Sequence, residues 1–140
     1  MKKIMILLTI CVMVLSIPII TNASTGFVEA MADIQSSSST IGDPHEVVSG
    51  FTDAIEQINS SEVKEIEATV TLYQNNLAQC TNSRTQYDTG STWTSCSSNE
   101  YDSAEWETFS EAYAEYYPNE DNSSNPSYST DSKKLTVSAY

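Results

Sequence analysis

The chain has 140 residues, which at about 100 to 200 residues per domain allows one domain and excludes a multidomain enzyme. Six Lys and Arg stand against 19 Asp and Glu, a formal net charge of −13. Nucleic acid and anionic membrane surfaces are thereby excluded as partners, because binding to either depends on clustered Lys and Arg.

The N-terminus reads as an export signal over residues 1–23. Lys2 and Lys3 precede an uncharged apolar run from Ile4 to Ile20, and Thr21-Asn22-Ala23 offers the small residues of a peptidase site after Ala23. Pro18 breaks the run before the cut and presents it in extended form. If the cut is not made, residues 4–20 are nearly long enough to anchor the chain in a membrane. Leu8-Thr9-Ile10 before Cys11 is a poor lipoprotein signal, and the Gly26-Phe27 step lies on the wrong side of the apolar run for a pilin. The mature chain would keep four cations against 19 acids, a net charge of −15. A secreted or cell-surface location follows.

Cleavage removes Cys11 and leaves Cys80 and Cys96, an even pair in an exported chain, which predicts a disulfide rather than a metal site. Closing that 16-residue span stabilises a fold by about 3 kcal/mol in the chain-entropy picture.

Residues 24–117 read as a helical domain, a small antiparallel bundle of three to four helices. Phe27, Met31 and Ile34 mark a short first helix, and Asp43-Pro44-His45-Glu46 caps a second with the stripe Val48, Phe51, Ile55, Ile58. A third carries Val63, Ile66, Val70, Tyr73, Leu77 and Cys80, spaced three and four apart like a coiled-coil seam. Thr81 to Asn99 is polar and reads as one long disulfide-linked loop containing Tyr87 and Trp93. Asp102-Ser103-Ala104-Glu105 caps a fourth helix with the stripe Trp106, Phe109, Tyr113, Tyr116, ending before Pro118. Residues 118–140 are rich in Ser and Asn with little apolar content, and read as an acidic disordered tail.

Chemistry is sparse. The only imidazole is His45, expected on the surface of the second helix, and no Gly-rich phosphate loop is present. Glu107, Glu111 and Glu115 recur every four residues as a solvated face, not as two carboxyls across a cleft. Asn119 to Ser123 alternates oxygen ligands but lacks the Gly and Glu of a calcium loop. No catalytic group, metal or cofactor is expected. Trp93, Tyr87, Tyr116 and Tyr117 are the candidate partner-contact residues, since Trp93 and Tyr87 lie in the polar loop and the two others crowd a helix end. These features point to an exported non-enzymatic interaction protein meeting a protein or glycan, with a cationic surface favoured by the charge. The alternatives are a structural subunit of an envelope or filament assembly, with the Val63 to Leu77 seam packed between chains, and more remotely a small hydrolase.

Overall fold

The computed structural model describes residues 28–40, 44–57, 63–118 and 126–138. The export segment, Phe27, Ile58, the Asp43 cap and the Asn119 to Ser123 stretch lie outside the described residues. Among the described residues there is no helix. The chain forms β1 (Val28–Ser39), β2 (His45–Glu56), β3 (Val63–Gln74), β4 (Leu77–Tyr87), β5 (Ser91–Glu100), β6 (Ala104–Tyr116) and β7 (Ser127–Val137). A three-stranded sheet, β1-β2-β5, faces a four-stranded sheet, β4-β3-β6-β7, and every pairing is antiparallel. The order is that of an immunoglobulin-type sandwich whose fourth strand lies in the second sheet, an architecture that hosts many unrelated functions.

The helical bundle is therefore overturned, and the reason is periodicity. Residues four apart share a face in a helix and in a strand alike, whereas residues three apart share a face only in a helix. Every step of three in the expected stripes that lies in regular strand splits across the sheet. Val48 is buried while Phe51 lies outside, Ile34 is buried while Met31 is exposed, and Trp106 is buried while Phe109 lies outside. Val63 and Ile66 are both buried despite their spacing, because a register shift between Val63 and Glu65 inserts one residue. The inward sets run at period two: Val48, Gly50, Thr52, Ala54 on β2, Ile66, Ala68, Val70, Leu72 on β3, and every second residue from Ala104 to Tyr116 on β6. Many of these are Ala, Ser and Thr, residues too small or too polar to register as a hydrophobic stripe.

The expected long loop is two strands. Asn75 and Asn76, both at positive φ (48° and 68°), close a two-residue hairpin between β3 and β4, a conformation that Asn tolerates better than other non-glycine residues. Asp88, at φ 54°, helps turn the chain from β4 into β5 in the other sheet. The expected disordered tail is overturned by β7, which pairs along β6 from Ala104↔Val137 to Ala114↔Ser127 and buries Ser127 and Val137. Its low apolar content misleads because an edge strand needs only a few inward residues, its main chain being paired on one side.

The expected disulfide is present. Cys80 on β4 and Cys96 on β5 have Cα atoms 6.1 Å apart, and the bond joins the two sheets along one flank. On the same flank the Asn82 side-chain amide donates to the Ser95 carbonyl (3.0 Å) and the Arg84 guanidinium lies 5.7 Å from the Trp93 ring centre. On the opposite flank the β1 amides of Val28, Ala30 and Ala32 donate to Ser127 Oγ, Ser129 Oγ and Asp131 Oδ2 at 3.3, 3.2 and 2.9 Å. Lys133 adds an ion pair to Asp33 at 2.7 Å.

Between the sheets the core has two apolar ends. One gathers Val28, Ala54, Val63, Ile66 and Tyr116, the other Ile34, Val48, Leu72, Trp106 and Val137 with the disulfide against it. A belt of small and hydroxylated residues separates them: Gly50, Thr52, Thr108 and Ser110. Thr52 Oγ1 and Ser110 Oγ are 2.6 Å apart and the Thr69 carbonyl lies 3.2 Å from Thr52 Oγ1, so Ser110 can donate to Thr52 while Thr52 donates to Thr69. The Thr108 hydroxyl has no hydrogen-bond partner among the described residues.

Candidate interaction faces

Among the described residues no group of three or more His, Cys, Asp or Glu is placed to hold a metal ion. The most buried carboxylate, Glu100, lies at the end of β5 and is 4% exposed. It accepts four hydrogen bonds: from Gln74 Nε2 (2.6 Å), Trp106 Nε1 (2.9 Å) and the amides of Tyr101 and Asp102 (both 2.9 Å). Burial opposes its ionisation, but these donors together outweigh that cost and hold its carboxyl below the ordinary value. A carboxylate so saturated anchors the corner between β5 and β6 and has no lone pair to spare for a substrate. His45, expected on a helix, opens β2 with its ring 5.1 Å from that of Tyr101.

The two outward faces of the sandwich differ in chemistry. On the three-stranded sheet, Met31, Asp53 and Trp93 form one rung across β1, β2 and β5. Phe51 and Ile55 lie two residues to either side of Asp53 on the same face of β2, within reach of the rung's side chains. Trp93 is 54% exposed and Met31 39%, while Phe51 and Ile55 are half-buried. Asp53 is exposed and has no hydrogen-bond or ion-pair partner among the described residues, so a bare carboxylate stands between four apolar neighbours, with Glu29, Asp33, Ser91 and Ser95 at the corners beyond them.

On the four-stranded sheet the outward side chains are mostly Tyr, Thr and Glu. Glu67, Tyr113 and Tyr128 make one rung, Thr69, Glu111 and Thr130 the next, and between them lies a groove of ≈ 320 Å³. The Tyr113 and Tyr128 ring centres are 5.0 Å apart at an interplanar angle of 54°. Burial, followed by the charges of Glu115, Tyr128 and Glu65, pushes the Tyr113 phenol upward. Glu67 is fixed by hydroxyls, accepting from Thr69 at 3.2 Å and Thr85 at 3.0 Å. A shallower dent of ≈ 250 Å³ follows, lined by Tyr73, Asn76, Glu107 and Phe109.

The four expected contact residues are not brought together. Trp93 lies on the first face. Tyr87 and Tyr117 stand at one end of the second, 65% and 47% exposed, where the Tyr117 hydroxyl donates to Asp88 at 2.6 Å. Tyr116 is 3% exposed and points inward, where burial and then the Glu56 charge push its phenol well up, so it offers nothing to a partner. The seam from Val63 to Leu72 likewise faces the interior and is no surface for packing between chains, while Leu77 beside the hairpin turn is exposed. Sequence reasoning missed Asp53 and the Tyr113, Tyr128 groove. The signal for both was the alternation of Phe51-Thr52-Asp53-Ala54-Ile55 and Glu111-Ala112-Tyr113-Ala114-Glu115, large or charged residues interleaved with small ones.

The disulfide is compatible with an extracellular protein. No family model matches the chain, and no curated protein or solved structure matches it.

Proposed function

We propose that the chain is an exported, non-enzymatic interaction module that engages a protein partner through the outer face of its three-stranded sheet. The observation that carries this reading is Asp53, without a partner among the described residues, at the centre of Met31, Phe51, Ile55 and Trp93. An exposed aromatic with an apolar surround is the composition of a binding hot spot, and a central carboxylate selects a Lys or Arg from the partner. A second copy of this chain fits poorly. Its charge is strongly negative, and the cations among the described residues are engaged: Lys64 on Glu115, Lys133 on Asp33, Lys134 on Glu105 and Arg84 over Trp93. Export is supported by the Lys2-Lys3 charge, the apolar run after it and the disulfide. The non-enzymatic reading rests on the single histidine and on the saturation of Glu100.

The test is affinity capture from the native envelope with the mature chain, followed by titration of the purified partner against the wild type, Asp53→Lys and Trp93→Ala. Truncating a central Trp anchor costs about 2 kcal/mol or more, and reversing the central charge should abolish binding. Equal affinity of Asp53→Lys and the wild type for that partner, or capture of a glycan in its place, would remove this reading.

A further inference from the structure

The opposite face carries a groove of ≈ 320 Å³ lined by Tyr, Thr and Glu side chains. We propose that the groove between the Glu67, Tyr113, Tyr128 rung and the Thr69, Glu111, Thr130 rung binds an alkylated ammonium group, the chemistry of a choline head or a methylated lysine side chain.

Three observations converge on it. The first is aromatic surface. Tyr128 is 69% exposed and the half-buried Tyr113 packs against it with ring centres 5.0 Å apart, so the pair forms one side of the groove and leaves much of the Tyr128 ring open to a ligand. Ring faces attract a large, weakly hydrated cation through their quadrupole. The second is charge. Glu67 and Glu111 both line the groove, and among the described residues no cation does. The carboxylate of Glu67 is already oriented by Thr69 and Thr85, while that of Glu111 has no partner among the described residues. Two like charges on neighbouring rungs repel, and a cation seated between them removes that cost. The third is size. A groove of ≈ 320 Å³ is at the lower end of small-molecule sites and far larger than a bare metal ion needs, and no metal-holding group occurs among the described residues.

A neutral sugar is a poorer fit. The Thr69 hydroxyl is committed to Glu67 and to Ser83, 2.7 Å away, the Ser129 hydroxyl accepts from the Ala30 amide, and no side-chain amide or guanidinium lines the groove. A sugar could use the Tyr113, Tyr128 and Thr130 hydroxyls, but as a neutral ligand it would leave the two carboxylate charges unbalanced.

The experiment is calorimetric titration of the mature chain with choline, with trimethyllysine in a short peptide, and with 3,3-dimethylbutanol, the neutral isostere of choline. Choline and the peptide are expected to saturate one site and to compete, with affinity that salt weakens, and the neutral isostere is expected not to bind. Tyr128→Ala and Glu111→Gln, both at exposed positions, should each weaken binding by roughly fivefold or more. Asp53→Lys on the other face should leave it unchanged, which separates this site from the protein-docking reading. Vesicles of phosphatidylcholine set against the peptide then identify the source of the ammonium, a lipid head or a protein side chain. Absence of saturable choline binding, equal binding of the isostere, preference for a hexose, or indifference to both groove variants would overturn the proposal.

Discussion

Replacing Gly50 by alanine tests how closely the two sheets approach at the polar belt. A Cβ on Gly50 would lie 2.6 Å from Thr108 Oγ1 and 3.3 Å from both Thr108 Cγ2 and Leu72 Cδ1. Thr108 and Leu72 are fully buried, and rotating Thr108 only exchanges its hydroxyl for its methyl, so the clash has no cheap release. Overpacking of this kind costs about 1–3 kcal/mol, against roughly 0.5–1 kcal/mol returned because alanine restricts the unfolded chain more than glycine. The expected net loss is about 1–2 kcal/mol, a fall of several degrees in Tm for a domain of this size. Thr108→Ala removes its two close atoms together with a hydroxyl that has no partner among the described residues, so Gly50→Ala in that background should be neutral or slightly stabilising. Urea unfolding of the two single variants and the double variant gives the coupling directly. If Gly50→Ala costs nothing, or costs the same with and without Thr108→Ala, the close approach at the belt is wrong.

Three further outcomes are expected. Glu100→Gln should lose about 1–3 kcal/mol at neutral pH, because an amide cannot accept all four donors. Since the folded carboxyl is held below its ordinary value of 4.5, its contribution is complete above that pH and fades as pH falls through the folded value; urea midpoints across an acid series should show wild type and variant converging at low pH. Cys80→Ser with Cys96→Ser should cost about 3 kcal/mol for the 16-residue separation, read as a lower unfolding midpoint in the absence of reductant. Removing residues 126–140 should abolish cooperative unfolding in circular dichroism, because it strips β7 from β6 and leaves the Val28, Ala30 and Ala32 amides without their acceptors.

What could be read from the residues alone depended on whether a feature was indifferent to the period. Cysteine parity needs no secondary structure, and Cys80 with Cys96 emerged from it. The Glu107, Glu111, Glu115 row remains a solvent-side row in β6 because steps of four keep a side in either geometry. Steps of three decided the rest. The runs Val47-Val48, Val70-Thr71-Leu72 and Thr81 to Thr85 carry the β-branched residues that favour strands, yet the caps at Asp43-Pro44-His45-Glu46 and Asp102-Ser103-Ala104-Glu105 beside a three-four spacing weighed toward helix. Asn75-Asn76 was the most local missed signal, a pair able to adopt positive φ between two extended runs. The candidate faces needed the register itself, because Met31, Asp53 and Trp93 are remote in sequence and meet only when β1, β2 and β5 align.

The flank where β1 lies beside β7 has a consequence for how the chain meets other chains. A terminal strand normally advertises its free amides to any extended segment that drifts past, and that is how native sheets begin to recruit foreign strands into aggregates. Here the amides of Val28, Ala30 and Ala32 are already occupied by Ser127, Ser129 and Asp131, three oxygens spaced two residues apart to match every second donor. Short polar side chains thus do the work usually left to proline or to an inward lysine, and the low apolar content of β7 becomes a safeguard against templated misassembly.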